Sequence, residues 1–192
     1  MGLGNPGPEY ADNRHNIGFM VADELAKRWR LGPMKSKFGG EVGSGENPTT
    51  AGGNRIVVVK PMQFMNVSGQ AVQRAAAFYQ VEAKDVIVIH DEIDLDFGRI
   101  KVKVGGGHGG HNGLRSITEQ LGPAFIRIRC GVGHPGHKDR VIGHVLGPFS
   151  KPEQKELPFL VGVAADAAEA IVKDGITPAM NQFNQSSPNK AD

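Results

Sequence analysis

The stretch V-I-V-I-H-D-E-I at 86–93 decides the fold class. Val86 to Ile89 are all β-branched, and an unbroken apolar run this short reads as a strand buried on both faces. It ends in the polar H-D-E, as a strand does when it leaves a core. A second run, Ile56 to Val59, has the same character. Downstream, Ile100, Val102 and Val104 alternate with Arg99, Lys101 and Lys103. Ile126, Ile128, Cys130 and Val132 alternate with Arg127 and Arg129. Period-two alternation gives each of these strands one apolar and one basic face. Between the strands, helical spacing predicts helices over Asn16 to about Arg30, Ser68 to Tyr79 and His111 to Leu121. Asn66 or Ser68 is available to cap the second. Pro152 to about Asp174 predicts a further helix, broken near Pro158. Alternation of strands and helices places the chain in the α/β class. The expectation is one domain over residues 1–184, a twisted mixed and largely parallel sheet flanked by helices, with 185–192 a flexible tail.

Composition narrows the function. The 192 residues are 39% hydrophobic, too apolar for a disordered chain, and one cysteine excludes a disulfide scaffold or cysteine-rich zinc site. No apolar run approaches the roughly 20 residues of a membrane span. No leader pattern is visible, so a cytoplasmic protein is expected. A net charge of +2 does not by itself point to nucleic acid. Glycine is the outlier at 27 residues, about twice the ordinary share.

The glycines fall in four clusters: 2–7, 32–53, 105–113 and 131–136. The first, G-L-G-N-P-G, matches the dinucleotide fingerprint G-x-G-x-x-G, but the context fails. Only Met1 precedes it, and Pro6 and Pro8 stand where the helix should propagate. A tight turn presenting one side chain is the better reading. The stretch 43–53 reads as an expanded hairpin loop, and Gly136 to Pro148 as a mobile rim.

A set of polar residues falls just beyond the apolar runs: Asn5, His15, Asn66, Asp91, His111 and Asn112. The carboxyl ends of strands form the ligand crevice of open α/β sheets. Each residue alone has a bland reading as a cap, a turn or a partly exposed side chain. As a set they suit one chemistry. No G-x-S-x-G elbow is present, and the lone cysteine lies inside a strand, so covalent catalysis is disfavoured. His15 with Asp91 has the makings of a general base and its orienter, and asparagine amides can steady an oxyanion without adding charge. That is equipment for hydrolysis of an ester through water. A metal held by His108 and His111 with His90, Asp91 or His134 is the competing reading, weakened because H-G-G-H lies on a glycine loop.

Six motifs carry a resemblance: G-L-G-N-P-G-P-E-Y, R-H-N-I-G-F, K-P-M-Q-F-M-N-V-S-G, H-D-E-I-D-L, G-G-G-H-G-G-H-N-G-L-R-S-I and G-V-G-H-P-G. With P-A-M-N-Q-F-N near the C-terminus, the sequence resembles the bacterial peptidyl-tRNA hydrolase family. The resemblance implies hydrolysis of the ester joining peptide to tRNA. It implies His15 as catalytic histidine, Asp91 as its acid, and Asn5, Asn66 and Asn112 positioning ester and water. Tyr10, Met65 and His111 would shape the cleft, and Lys101, Lys103 and Arg129 would grip tRNA phosphates. It further implies no metal, no cofactor, no membrane, no obligate protein partner, and a monomer engaging the acceptor stem, 3′ end and peptide of its substrate. Where such relatives carry an apolar first strand before G-L-G, this sequence begins Met1-Gly2, so either its start lies elsewhere or that strand is very short. The rival is an RNA-binding factor on the same fold without turnover.

Overall fold

The computed structural model describes residues 1–48 and 54–185. The helices are α1 (Ile17–Arg28), α2 (Ser68–Tyr79), α3 (Asn112–Leu121), α4 (Val141–Val145), α5 (Lys151–Asp174) and α6 (Ile176–Phe183). The strands are β1 (Lys35–Lys37), β2 (Gly40–Glu46), β3 (Arg55–Pro61), β4 (Ile87–Glu92), β5 (Ile100–Val104) and β6 (Ile126–Gly131).

They form two three-stranded sheets, ordered β1-β2-β3 and β4-β6-β5. The largely parallel sheet expected from the alternation is not what forms. Among the named strands of the described residues only β4 and β6 pair in parallel, with Gly2 adding an isolated parallel bridge to Ile89, while β5 on β6 and both pairs of the first sheet are antiparallel. Chain length explains the reversal, because only residues 93–99 join β4 to β5, and a parallel return needs a dozen or more. Met1 to Leu3 lie between the sheets. Gly2 donates to Val59 O, Leu3 to Ile89 O, and Ile89 to Met1 O. The dinucleotide-like glycines therefore serve packing. A Cβ on Gly18 of α1 would meet Ile89 O and Leu3 N at 2.4 Å each, so the bare backbone lets α1 rest on the end of β4.

The second sheet is covered on both faces. One buries Ile89, Val102, Ile128 and Cys130 against Ile17, Val21 and Leu25 of α1 and Leu160 and Ala164 of α5. The other buries Val86 and Val88 against Val72 of α2 and Leu114 and Ile117 of α3. Each such large side chain contributes on the order of 1.5–3 kcal/mol. The outer edge of β5 is closed by Asn184, whose amide accepts from Val102 N (2.7 Å) and donates to Val102 O (2.8 Å).

Three local expectations change. Residues 43–46 belong to β2 and pair with 55–58, so the first part of the supposed loop is strand; 49–53 lie outside the described residues. Gly43 and Gly45 hid it, and their missing side chains make room for Leu31. α5 runs unbroken through Pro158. Pro158 and Gln154 are both exposed, so water can satisfy the carbonyl the proline cannot reach, and the buried alanine face carries the helix past it. Neither Asn66 nor Ser68 caps α2. Asn66 sits in a 3₁₀ turn, Met65–Val67, and Ser68 Oγ donates to Met65 O. Of the expected tail, Gln185 accepts from Arg99 through its backbone oxygen, and 186–192 lie outside the described residues.

Candidate active site

His15 lies in the 3₁₀ turn Arg14–Asn16 that leads into α1, and Asp91 is the penultimate residue of β4. The close seating of α1 on β4 brings the two together. His15 Nδ1 is 2.8 Å from Asp91 Oδ1. His111, just before α3, places Nε2 3.0 Å from the same oxygen, while its Nδ1 accepts from Gly113 N (3.1 Å) and Leu114 N (3.3 Å). The His15 and His111 rings lie 4.8 Å apart. Asp91 is 4% exposed, so its carboxylate works away from bulk water.

This burial sets the electrostatics. Desolvation pushes the Asp91 pKa up, but the charges and N–H groups of His15 and His111 outweigh it and hold Asp91 well below the usual 3.8. Burial likewise pulls His15 down, and the charge and hydrogen bond of Asp91 prevail, raising it above 6.5. His90 behaves oppositely. It is fully buried, and desolvation, then His111, lower it to about 3. Its Nδ1 donates to Asp91 O at 2.7 Å, and its Nε2 has no hydrogen-bond partner among the described residues.

Asn5 is held by a reciprocal backbone clasp with Asn16, Asn5 N donating to Oδ1 and Asn16 Nδ2 to Asn5 O, both at 2.9 Å. Asn5 Oδ1 in turn accepts from Met65 N at 2.8 Å. Met65 packs so closely on the start of α3 that a Cβ on Gly113 would stand 2.6 Å from its sulfur. The next residues along, Asn66 and Asn112, are thereby carried to the same region, both exposed. Tyr10 meets exposed Phe64 edge-to-face, with centroids 6.4 Å apart.

The basic residues form rows across β5 and β6. Lys101 pairs in register with Arg129, and Lys103 with Arg127. They do not share one environment. Lys103 is exposed and Lys101 half-buried. Arg129 Nε is taken by Glu92 at 2.9 Å, leaving its terminal nitrogens. Arg127, 3% exposed, is bound to the carbonyls of Gly106 and Gly107 and anchors the glycine loop.

Of the metal candidates, His108 and His134 each accept a nearby backbone N–H at Nδ1, from Gly110 and Gly136. Among the described residues the trio that converges is His15, Asp91 and His111, its ligand atoms all within 4.8 Å of one another.

The sequence reading missed Arg14 and Glu153. Arg14 donates to His144 O (3.3 Å), Gly147 O (3.5 Å) and Pro148 O (2.7 Å) and pairs with Glu153 at 2.7 Å. It joins the end of the rim carrying α4 to the turn that holds His15. One signal was legible: Ser150-x-x-Glu153 spells a capping box, and both of its hydrogen bonds form.

Comparison with known proteins resolves the class. The family model for peptidyl-tRNA hydrolase matches residues 1–191. A peptidyl-tRNA hydrolase of Rhodospirillum rubrum is 53% identical over 166 residues, 86% of this chain and 67% of its own. That of Novosphingobium aromaticivorans is 48% identical over 183 residues, covering 95% and 94%. The crystal structure of peptidyl-tRNA hydrolase from Acinetobacter baumannii superposes with a TM-score of 0.87 at 43% identity, covering 95% of this chain and 92% of that one. These likenesses make the chain a hydrolase. It belongs to the peptidyl-tRNA hydrolase family, for which peptidyl-tRNA is the substrate. No helix among the described residues is long and apolar enough to cross a membrane.

Proposed function

We propose that the chain hydrolyses the peptidyl-tRNA ester with His15 as general base on water, oriented by Asp91. The observation that carries the reading is the 2.8 Å contact between His15 Nδ1 and the buried Asp91 Oδ1. A carboxylate there requires the proton on Nδ1, so Nε2 carries the lone pair that takes a proton from water. The water oxygen bonds to the ester carbonyl carbon as its proton passes to Nε2. The tetrahedral intermediate then collapses, breaking the bond to the tRNA ribose oxygen, and His15 returns the proton to that oxygen. The products are a peptide carboxylic acid, which loses its proton to solvent to become the carboxylate, and a tRNA with a free hydroxyl. Because Asp91 raises the pKa of His15, it stabilises the transient imidazolium.

Asn66 and Asn112, exposed beside Met65 and His111, supply uncharged donors for the ester carbonyl and its oxyanion. Asn5, clasped by Asn16, offers its amide nitrogen to the peptide backbone, and Tyr10 and Met65 shape the wall. Lys101, Lys103 and the terminal nitrogens of Arg129 take phosphates of the tRNA acceptor stem. Release of free tRNA from an N-blocked aminoacyl-tRNA tests the scheme. His15→Ala is expected to abolish turnover while preserving tRNA binding; a rate equal to the parent's overturns the assignment. Binding of RNA without any turnover in the parent would favour the RNA-binding alternative.

A further inference from the structure

We propose that His111 is a positioning residue locked into one tautomer: by capping α3 through Nδ1 it commits Nε2–H to Asp91, and through Asp91 it adjusts His15. The inference rests on His15 being the base. A neutral imidazole has one donor nitrogen and one acceptor. Gly113 N and Leu114 N both point donors at His111 Nδ1, so Nδ1 must be the acceptor. The proton of the neutral ring therefore sits on Nε2, where Asp91 Oδ1 waits at 3.0 Å. The two ends of the ring agree, and moving the proton to Nδ1 would set three donors against one another while uncapping the helix.

The consequence is a division of labour between two histidines on one oxygen. Asp91 Oδ1 receives an N–H from each, but only His15 keeps a ring nitrogen for substrate water. The N–H from His111 stabilises the Asp91 anion and reduces its pull on the His15 proton. Without it, Asp91 would hold the His15 imidazolium more firmly, and less base would be present at neutral pH. The groups around this oxygen support so simple a scheme. The turn before α1 contributes His15, and the N-terminus of α3 contributes His111. β4 adds His90, packed edge-on against His111 at 5.1 Å and itself kept neutral by burial. β6 adds the buried Cys130 thiol, pushed above its usual range by burial and Asp91. The same lock opposes a metal in the His15–Asp91–His111 trio, because a cation needs a lone pair on His111 Nε2, where the cap has put the proton.

Two measurements on the whole chain test the proposal. A long-range proton–nitrogen correlation spectrum at about pH 8, where an unperturbed imidazole is neutral, should show His111 as the Nε2–H tautomer. The pH dependence of kcat should then separate His111→Asn from His111→Ala. Asparagine is a good N-cap but ends short of Asp91, so it should restore the thermal stability that alanine loses. Its acid limb should nevertheless stay displaced to higher pH, by about half a unit, roughly a twofold loss at the parent's midpoint that approaches threefold well below it. A Nδ1–H tautomer, or a pH profile that asparagine restores along with stability, overturns the proposal and leaves His111 a cap. If His15→Ala keeps the parent rate, the reading beneath the proposal falls and the proposal falls with it. A wrong tautomer in an enzyme that still needs His15 sinks the proposal alone.

Discussion

Asp91→Asn should remove the charge at the proposed catalytic centre while leaving its wiring in place. Both imidazoles donate to a single oxygen, Oδ1, and an amide oxygen can accept both bonds. The opposite orientation of the amide would face its NH2 against two N–H groups, so the productive one is enforced. What disappears is the attraction between the carboxylate and the imidazolium that forms as water is deprotonated. With charge centres about 4 Å apart and an effective dielectric constant of about 20, that attraction is on the order of 4 kcal/mol. If about half is felt when the proton is partly transferred, kcat falls by roughly 2 kcal/mol, or about 30-fold. The pH profile should move as well. Under the proposed scheme His15 must be unprotonated to act, and in the parent burial lowers its pKa while the charge and hydrogen bond of Asp91 together raise it above 6.5. The parent should therefore lose activity as pH falls through a midpoint above 6.5. In the variant the charge is gone while the hydrogen bond survives to a neutral acceptor, so burial weighs more heavily and the midpoint should move to lower pH. Release of tRNA from an N-blocked aminoacyl-tRNA, followed from about pH 5 to 9 under saturating substrate, reads both effects. A loss as deep as that of His15→Ala, or an acid limb that stays where it was, would refute the reasoning.

Arg14→Met should cost about 1–3 kcal/mol in chemical denaturation, because it removes the ion-pair partner of Glu153 and the side-chain donor to Pro148 O, while Gly147 O and His144 O keep backbone donors; an unchanged denaturation midpoint would show that the clamp is not structural. Gly18→Ala should destabilise the fold by at least about 2 kcal/mol, since its Cβ would meet Ile89 O at 2.4 Å; a melting temperature equal to the parent's would contradict the close seating of α1. Lys101→Ala and Lys103→Ala should each lower the salt dependence of tRNA binding by about one unit of log–log slope, with kcat at saturation kept; an unchanged slope would remove that lysine from the phosphate contacts. The raised pKa of His15 stabilises the fold below its unfolded value of 6.5, and this contribution is lost as pH rises through the folded value. Stability of His15→Ala relative to the parent should accordingly recover at alkaline pH, and a constant difference between the two melting curves would argue against the His15–Asp91 pair.

How much of this was legible depends on the range over which each feature is encoded. α1, α2, α3 and β3 to β6 are written in local apolar period, and each lies within a few residues of its expected place. β2 is not, because Gly43 and Gly45 exist for the sake of Leu31, a partner that no window around them contains. The unbroken α5 escaped for the same reason: a proline's local cost is visible in sequence, whereas the packing that overrides it is not. The basic alternation of β6 treated Arg127 and Arg129 alike, yet the fold buries one on the glycine loop and pairs the other with Glu92.

The sequence by itself determined the α/β class and the family, and it singled out His15, Asp91 and His111, which the fold brings together, because motifs and periodicity are properties of neighbouring residues. Tertiary structure alone decided that β5 runs antiparallel, that Arg14 ties the rim to the turn bearing His15, and that His15 and His111 share one oxygen of Asp91. Those are contacts between residues 20 to more than 130 positions apart, and a hydrogen bond's direction, and hence a ring's tautomer, exists only once both partners have been brought into place.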